Sequence, residues 1–305
     1  MDVIALCPAR VATGGTEAIH QLVAELNRYL DAVILYPGDD TDPQPPEYAH
    51  YNCRYITAYP TRFKGVVIFP EIWGNNVCHE MFKDCIKCIN WAGVDVYDWH
   101  TPPEFRGLYL KAKDVIHIAQ SAYAADTLSK RGVETILRLS DIIGDEFFEP
   151  FQEEERNDIV LYNPAKMTPF ERKVINASPF NLKPITGMSR HDVIDTLRHG
   201  KLYIDFNVFS GRERLLREAV MCGCCALVSM SGCSAYFEDV AIQDRYKFEM
   251  IDWNVEVAVE AMKEILDNYE GHRPAFDIYR ESIAADQVRF PDDVKAIAEA
   301  FKERL

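Results

Sequence analysis

The chain has 305 residues, 48 of them acidic and 33 basic, giving a formal net charge of −15. That length suits one large domain or two smaller ones, and 48% hydrophobic residues supply ample material for a buried core. The acidic balance argues against a nucleic-acid or polybasic membrane partner, while leaving room for a local cleft with two or three well-placed cations. No stretch approaches the roughly 18 apolar residues of a membrane span. The first seven residues lack the basic region of a signal peptide. A cytoplasmic protein with no transmembrane segment is expected.

Residues 3–7 form an apolar strand, and a turn then leads into Gly14-Gly15-Thr16-Glu17. A helix is predicted over 16–30, with Ile19, Leu22, Val23, Leu26 and Leu30 on one face. Paired glycines at a helix N-terminus let backbone amides approach a ligand closely, and they serve a plain tight turn equally well. Residues 32–36 are the second strand, followed by a Pro- and Asp-rich loop over 37–46. The run Asp39-Asp40-Thr41-Asp42 has the acid spacing of a metal-binding Asp-x-Asp pair, but its prolines mark a solvated loop. A strand over 66–69 runs into Pro70-Glu71. A helix over 81–87 then precedes a strand over 88–91. The loop 92–97, which carries Asp95, follows that strand's carboxyl end, where α/β proteins bind ligands. His100 comes shortly after it, in a setting equally suited to a structural loop histidine. Strand 115–119, a helix from Ala122 to Lys130 and strand 136–139 continue the alternation.

The acidic stretch 149–158 contains Pro150 and shows little apolar periodicity, so it marks the domain boundary, with 1–150 before it and 151–305 after. A second Rossmann-like unit opens with strand 159–162, and Lys166 stands in the loop just past it. Strand 182–186 is followed by Ser189, an N-cap for a helix beginning at Arg190. Then comes the stretch on which the rest is organised. A strand over 202–204 leads to the polar loop Ser210-Gly211-Arg212-Glu213-Arg214. A short amphipathic helix over 215–222, a C-cap at Gly223 and a strand over 226–228 complete it. This strand–loop–helix–strand order is the repeating unit of a parallel α/β sheet. Arg214 and Glu218 are four residues apart on one face, near the helix's positive end. A cation there suits phosphate and a carboxylate one turn on suits ribose hydroxyls; a surface ion pair satisfies the same spacing. A strand near 246–248 and helices from 254, over 276–289 and over 291–305 close the chain.

Nine cysteines, an odd number, suggest free buried thiols. Cys78-His79 with Cys85 and Cys88, and Cys222, Cys224, Cys225 and Cys233, are the two groups to weigh as zinc ligands. Neither shows two well-separated ligand pairs flanked by turns, so no metal site is expected.

The segment GRERLLREAVMCGCCALVS resembles the donor-binding segment of GT-B glycosyltransferases, in particular a compact form of retaining bacterial sugar transferases. Its G-x-E-R-x-x-R-E-A pattern, the GGTE after the first strand, the YNPAK loop and Gln120-Ser121 before a helix all resemble that family. The resemblance implies two Rossmann-like domains facing across a cleft, with acceptor contacts on the first domain and a nucleotide-sugar donor held by the second. It implies roles for Gly14 and Gly15 in lining the cleft, Lys166 and Arg214 on the donor diphosphate, Glu218 on the ribose, and Arg190 near the base. Large retaining families carry a second glutamate, which falls here on Ser210, so the sugar contact departs from the pattern.

Transfer from such a donor requires negative charge on the departing diphosphate to be stabilised, which cations and helix N-termini supply without metal or cofactor. An inverting enzyme needs a base on the first domain, for which Glu71, Asp95 and His100 are candidates; a retaining one needs no protein nucleophile, and retention is expected. The acceptor is a glycan or another hydroxyl compound. Two alternatives remain: a nucleotide-sugar epimerase of the same architecture, and a protein that binds nucleotide sugars without turnover. A dehydrogenase is excluded, because no G-x-G-x-x-G follows the first strand.

Overall fold

A computed structural model describes residues 1–8, 10–37, 45–73, 80–102, 106, 110, 112, 114–149 and 156–305. The chain divides into two compact units, Met1–Asp141 with Gln287–Leu305, and Ile142–Asp286. The boundary therefore falls ahead of the acidic stretch around Pro150, and the chain's last 19 residues group with the first unit instead of the second.

The first unit is built on a seven-stranded sheet of β1 (Val3–Leu6), β2 (Ala32–Leu35), β3 (Tyr55–Ile56), β4 (Val66–Pro70), β5 (Ile86–Trp91), β6 (Val115–Ala119) and β7 (Ile136–Arg138), in the order β3-β2-β1-β4-β5-β6-β7. Every pairing is parallel, with Val3 opposite both Ala32 and Val66. Strands covered on both faces read as continuous apolar runs, and all four residues of β1 and of β2 are buried. Three helices start beyond carboxyl ends of these strands: α1 (Gly14–Leu26), α2 (Val94–His100) and α3 (Ala122–Lys130). Thr13 and Thr16 form a reciprocal capping box on α1, and Ser121 accepts the Ala124 amide at 3.0 Å to cap α3.

Two expectations fail in this unit. Residues 82–85 make a turn, with the Cys85 amide on the Phe82 carbonyl, and β5 begins at Ile86 where a helix was expected. A short apolar run does not separate strand from helix by its period, and pairing with β4 and β6 decides it. The loop expected over 92–97 is helical from Val94, because burying Val94 and Tyr97 against the core of Phe69, Trp91 and Leu110 favours a turn of helix. Asp39, Asp40, Asp42, Cys78 and His79 lie outside the described residues.

The second unit carries β8 (Asn157–Tyr162), β9 (Asn181–Pro184), β10 (Gly200–Asp205), β11 (Cys225–Ser229) and β12 (Lys247–Phe248), ordered β12-β11-β10-β8-β9 and again wholly parallel. Its helices are α4 (Pro169–Ala177), α5 (Arg190–His199), α6 (Arg214–Met221) and α7 (Asn254–Asp267). Gly223, at φ 94°, ends α6 as expected: its amide reaches the Val220 carbonyl and the Cys224 amide the Ala219 carbonyl.

The last helix, α8 (Asp277–Lys302), is one element, where two separated at Pro291 were expected. Proline removes one backbone hydrogen bond. Here Val294, Ile297, Ala298 and Phe301, all fully buried, hold the following turns in place, and Asp293 accepts both the amide and the hydroxyl of Ser140 at 2.8 and 2.7 Å.

All eight described cysteines are free and buried, as the core-thiol reading expects. Burial pushes the thiols of Cys222 and Cys225 up to about 12 and that of Cys224 to about 11. Among the described residues, no group of three or more His, Cys, Asp or Glu is placed to hold a metal ion, and no helix is long and apolar enough to cross a membrane.

Candidate functional site

In each sheet the strand order reverses once, between β1 and β4 and between β8 and β10. Open α/β sheets bind ligands beyond the carboxyl ends of the strands at such a reversal. Several of the predicted site residues lie at these two places, and Arg190 and His100 do not.

In the second unit, the turn after β8 holds Lys166 and the loop after β10 leads to α6. Asn163 accepts the Ala165 amide at 3.0 Å, fixing a single tight turn over Pro164–Lys166. Lys166 Nζ lies 2.6 Å from Glu213 Oε2, so one ion pair spans the reversal. Glu213 is the cap residue of α6, with Arg214 its first helical residue and Glu218 one turn on and buried. The structure thus brings Lys166, Glu213, Arg214 and Glu218 to one edge of one sheet. Ser210, where a second glutamate is missing, stands in the same loop with its amide on the Val208 carbonyl.

Arg190 is placed differently. As the first residue of α5, its guanidinium pairs with Glu146 at 2.5 Å and lies 4.9 Å over the Phe147 ring, which ties the helix to the 3-10 turn Asp145–Phe147.

Beneath the Lys166–Glu213 pair lie two buried carboxyls that sequence reasoning missed. Asp205, at the end of β10, accepts the Tyr203 hydroxyl at 3.2 Å and the side-chain amide of Asn207. Burial and the neighbouring Glu213 push it up to about 7, against the pull of Asn207 and Lys166. Glu171, in α4, accepts the Phe206 amide at 3.2 Å, and burial together with Asp205 pushes it up to about 8. The sequence Thr168-Pro169-Phe170-Glu171 carries the capping-box pattern, which would send the glutamate back to its own helix start. Thr168 does accept the Glu171 amide, but the carboxylate crosses to the β10 loop instead. On the far side of that loop, Arg212 and Asp286 form an almost fully buried ion pair at 2.6 Å, and Arg217 is wholly buried nearby, acting with both on Tyr279. Gly232, at φ 56°, brings the loop after β11 against the Phe209 carbonyl, to which the Cys233 amide donates at 2.8 Å.

In the first unit, Gly14 and Gly15 form the first turn of α1, after β1, and a Cβ on Gly15 would meet nothing within 4 Å. Glu71 follows β4, across the reversal. It is buried, and its carboxylate accepts the Gly93 and Ala92 amides at 2.9 and 3.3 Å, tying off the start of α2. Burial pushes it up to about 7 despite those bonds. Asp95, in the first turn of α2, accepts the Tyr123 hydroxyl at 2.8 Å. His100 is exposed at the far end of the same helix, away from the carboxyl edge that holds the other two.

No protein-family profile and no curated protein matches the chain in sequence. Several solved structures match it over almost their whole length. Anabaena HepE, crystallised in complex with UDP-glucose, matches with a TM-score of 0.65 at 10% identity, covering 100% of this chain and 99% of that one. The chain has the GT-B fold. Sucrose-phosphate synthase from Thermosynechococcus elongatus gives 0.67 at 13% identity, covering 99% of each chain. A protein named as a UDP-N-acetylglucosamine 2-epimerase from Listeria monocytogenes gives 0.54 at 12%, covering 90% and 89%. A GT-B fold is common to transferases and epimerases, so the assignment of activity rests on the site.

Proposed function

We propose that this GT-B protein is a glycosyltransferase that moves a sugar from a nucleotide-sugar donor to a glycan or other hydroxyl acceptor, with retention and without a metal ion. The observation that carries this reading is the set of charges at the β8/β10 reversal: Lys166 beside α6, whose first residue is Arg214 and whose second turn presents Glu218. A departing diphosphate gains charge as the glycosidic bond lengthens. An ammonium, a guanidinium and a helix N-terminus stabilise that charge where it develops. Glu218 suits a pair of ribose hydroxyls. The Gly14-Gly15 turn leaves open space for a ligand to approach backbone amides. On the acceptor side, burial raises the pKa of Glu71 to about 7, which suits a group that exchanges a proton near neutrality, and Asp95 is its neighbour at the α2 start.

The test is binding and turnover of UDP-, GDP-, CMP- and dTDP-sugars by wild type and Arg214→Ala. The reading expects one nucleotide class to bind, Arg214→Ala to weaken it by at least about tenfold through loss of a charge-assisted contact, and chelator to leave both unaffected. Slow donor hydrolysis marks a transferase, and the anomeric configuration of the released sugar reports retention. Isomerised donor would replace this reading with the epimerase, and failure of every donor to bind would refute the donor site.

A further inference from the structure

The lysine offered to the diphosphate is already engaged. Lys166 Nζ is 2.6 Å from Glu213 Oε2, and the carboxylate is the more firmly seated partner, its side chain 13% exposed against 54% for the lysine. Glu213 is the cap residue of α6, which fixes its backbone, and its side chain makes no capping bond. A phosphate arriving at Lys166 therefore competes with a carboxylate that the fold itself presents.

That carboxylate does not stand alone: Glu213 and Lys166 both act on Asp205 at the end of β10, and Glu171 accepts the amide of the next residue, Phe206, at 3.2 Å. The charged and titratable groups facing Asp205 are Tyr203 from its own strand, Glu171 from α4, Glu213 from the loop and Lys166 from the turn after β8. α6 adds Arg214, Arg217 and Glu218, while Glu256, Glu260, Lys263 and Glu264 of α7 are exposed to solvent.

We propose that donor binding in this site is an exchange of anions coupled to proton uptake, in which the diphosphate takes Lys166 from Glu213 and the buried Asp205–Glu171 pair takes up a proton. The inference rests on the donor-site reading above. In the resting protein, Lys166 favours the ionised form of Asp205 and offsets Glu213. Once a diphosphate claims the ammonium, that offset is gone and two further negative charges have arrived, so the pair's affinity for a proton rises. Asp205 and Glu171 already titrate close to neutrality, which makes the uptake cheap. The proton comes from solvent and no covalent bond changes. Donor affinity accordingly weakens as pH rises through the neutral range, by no more than about tenfold per pH unit for one coupled proton. Glu213 acts through Lys166 and is a positioning residue that sets how much anion charge the site demands.

The experiment has a ligand-free arm and a donor arm, both on the full chain. Carbon-13 titration of side-chain carboxyls should find two groups with midpoints near neutrality, and Glu213→Gln should lower the Asp205 midpoint. Absence of any carboxyl titrating above pH 6 overturns the proposal whatever binds. Calorimetric titration with UDP-glucose, whose diphosphate does not titrate over this range, is then run in two buffers of different ionisation enthalpy, from pH 6 to pH 8.5. The expected results are net proton uptake, affinity falling with pH, and a gain of about 2- to 5-fold on Glu213→Gln, the worth of one exposed ion pair. In a Lys166→Gln background the gain from Glu213→Gln should shrink to what removing a carboxylate beside Asp205 supplies. UDP-glucose binding that is independent of pH, or a Glu213→Gln gain undiminished without Lys166, overturns the exchange and leaves the donor site standing. If neither UDP-glucose nor any other nucleotide sugar binds, the donor site falls and the exchange with it.

Discussion

Glu71→Gln separates a buried carboxyl's charge from its shape. Glu71 is 6% exposed and accepts two amides at the start of α2, yet burial raises it from 4.5 to about 7. A carboxyl with a raised folded-state value holds its proton more tightly in the folded chain than in the unfolded one. Its contribution to stability is therefore complete below about 4.5 and is lost as pH rises through about 7. Between two and three pKa units, at about 1.4 kcal/mol each, amount to about 3 kcal/mol. Glutamine can still accept the Gly93 amide and has no charge to bury. The stability of Glu71→Gln relative to wild type should thus climb by about 3 kcal/mol between pH 4.5 and pH 8, whatever offset it starts from. Urea unfolding at a series of pH values measures this. Three of the four tryptophans, Trp73, Trp91 and Trp99, lie in the first unit, so fluorescence in a Trp253→Phe background follows that unit alone. A flat difference would show that Glu71 ionises without penalty. A deficit growing with pH would show that the ionised carboxylate's bonds to Ala92 and Gly93 outweigh its burial. If Glu71 also receives the acceptor's proton, the same substitution removes a limb near pH 7 from the rate profile.

Asp286→Asn leaves Arg212 charged in a site where both partners are nearly sealed, and should cost the second unit about 3–5 kcal/mol in urea unfolding; a loss under about 1 kcal/mol would mean solvent reaches the pair. Gly232→Ala drives a Cβ into the Phe209 carbonyl oxygen at φ 56°, so it should destabilise the same unit by at least about 2 kcal/mol, and an unchanged melting temperature would refute the positive φ. Gly15→Ala meets nothing within 4 Å and should leave stability unchanged or raise it by up to about 1 kcal/mol. If its donor affinity is also unchanged, no ligand approaches that turn.

Sequence pattern made much of this fold legible, and the failures have identifiable causes. α3 was read to the residue because Ser121 caps it and its apolar positions keep a helical period. The α6 unit was legible because Gly223 readily adopts the positive φ that ends a helix. The 81–87 segment was misread because its apolar residues are too few to show a period, and pairing with strands distant in sequence decides its conformation. Pro291 was read as a break because the rule against interior proline is local, whereas Val294, Ile297, Ala298 and Phe301 bury a continuous stripe beyond it. At the site, the positions of Lys166, Arg214 and Glu218 followed from a strand–loop–helix order. The pairing of Lys166 with Glu213 did not, because it joins residues 47 apart through the order of β8 and β10. Asp205 and Glu171 were hidden for the same reason: nothing local distinguishes a strand-end aspartate or an N3 glutamate that happens to be sealed under a loop.

These hidden residues change what the acidic composition means. A net charge of −15 looks unfavourable for binding a diphosphate. Among the described residues of the site, however, Asp205, on which Lys166 acts, and Glu171 beside it are pushed up to about 7 and about 8. A buried carboxyl whose hold on a proton is raised sheds its charge, and with it its repulsion of an incoming phosphate, by binding one proton. Removing that capacity with Asp205→Asn and Glu171→Gln should give a site whose donor affinity no longer changes with pH. If the doubly substituted protein folds and still shows the wild-type pH dependence, the charge that governs donor binding lies elsewhere, and the proximity of these acids to Lys166 serves the loop's structure alone.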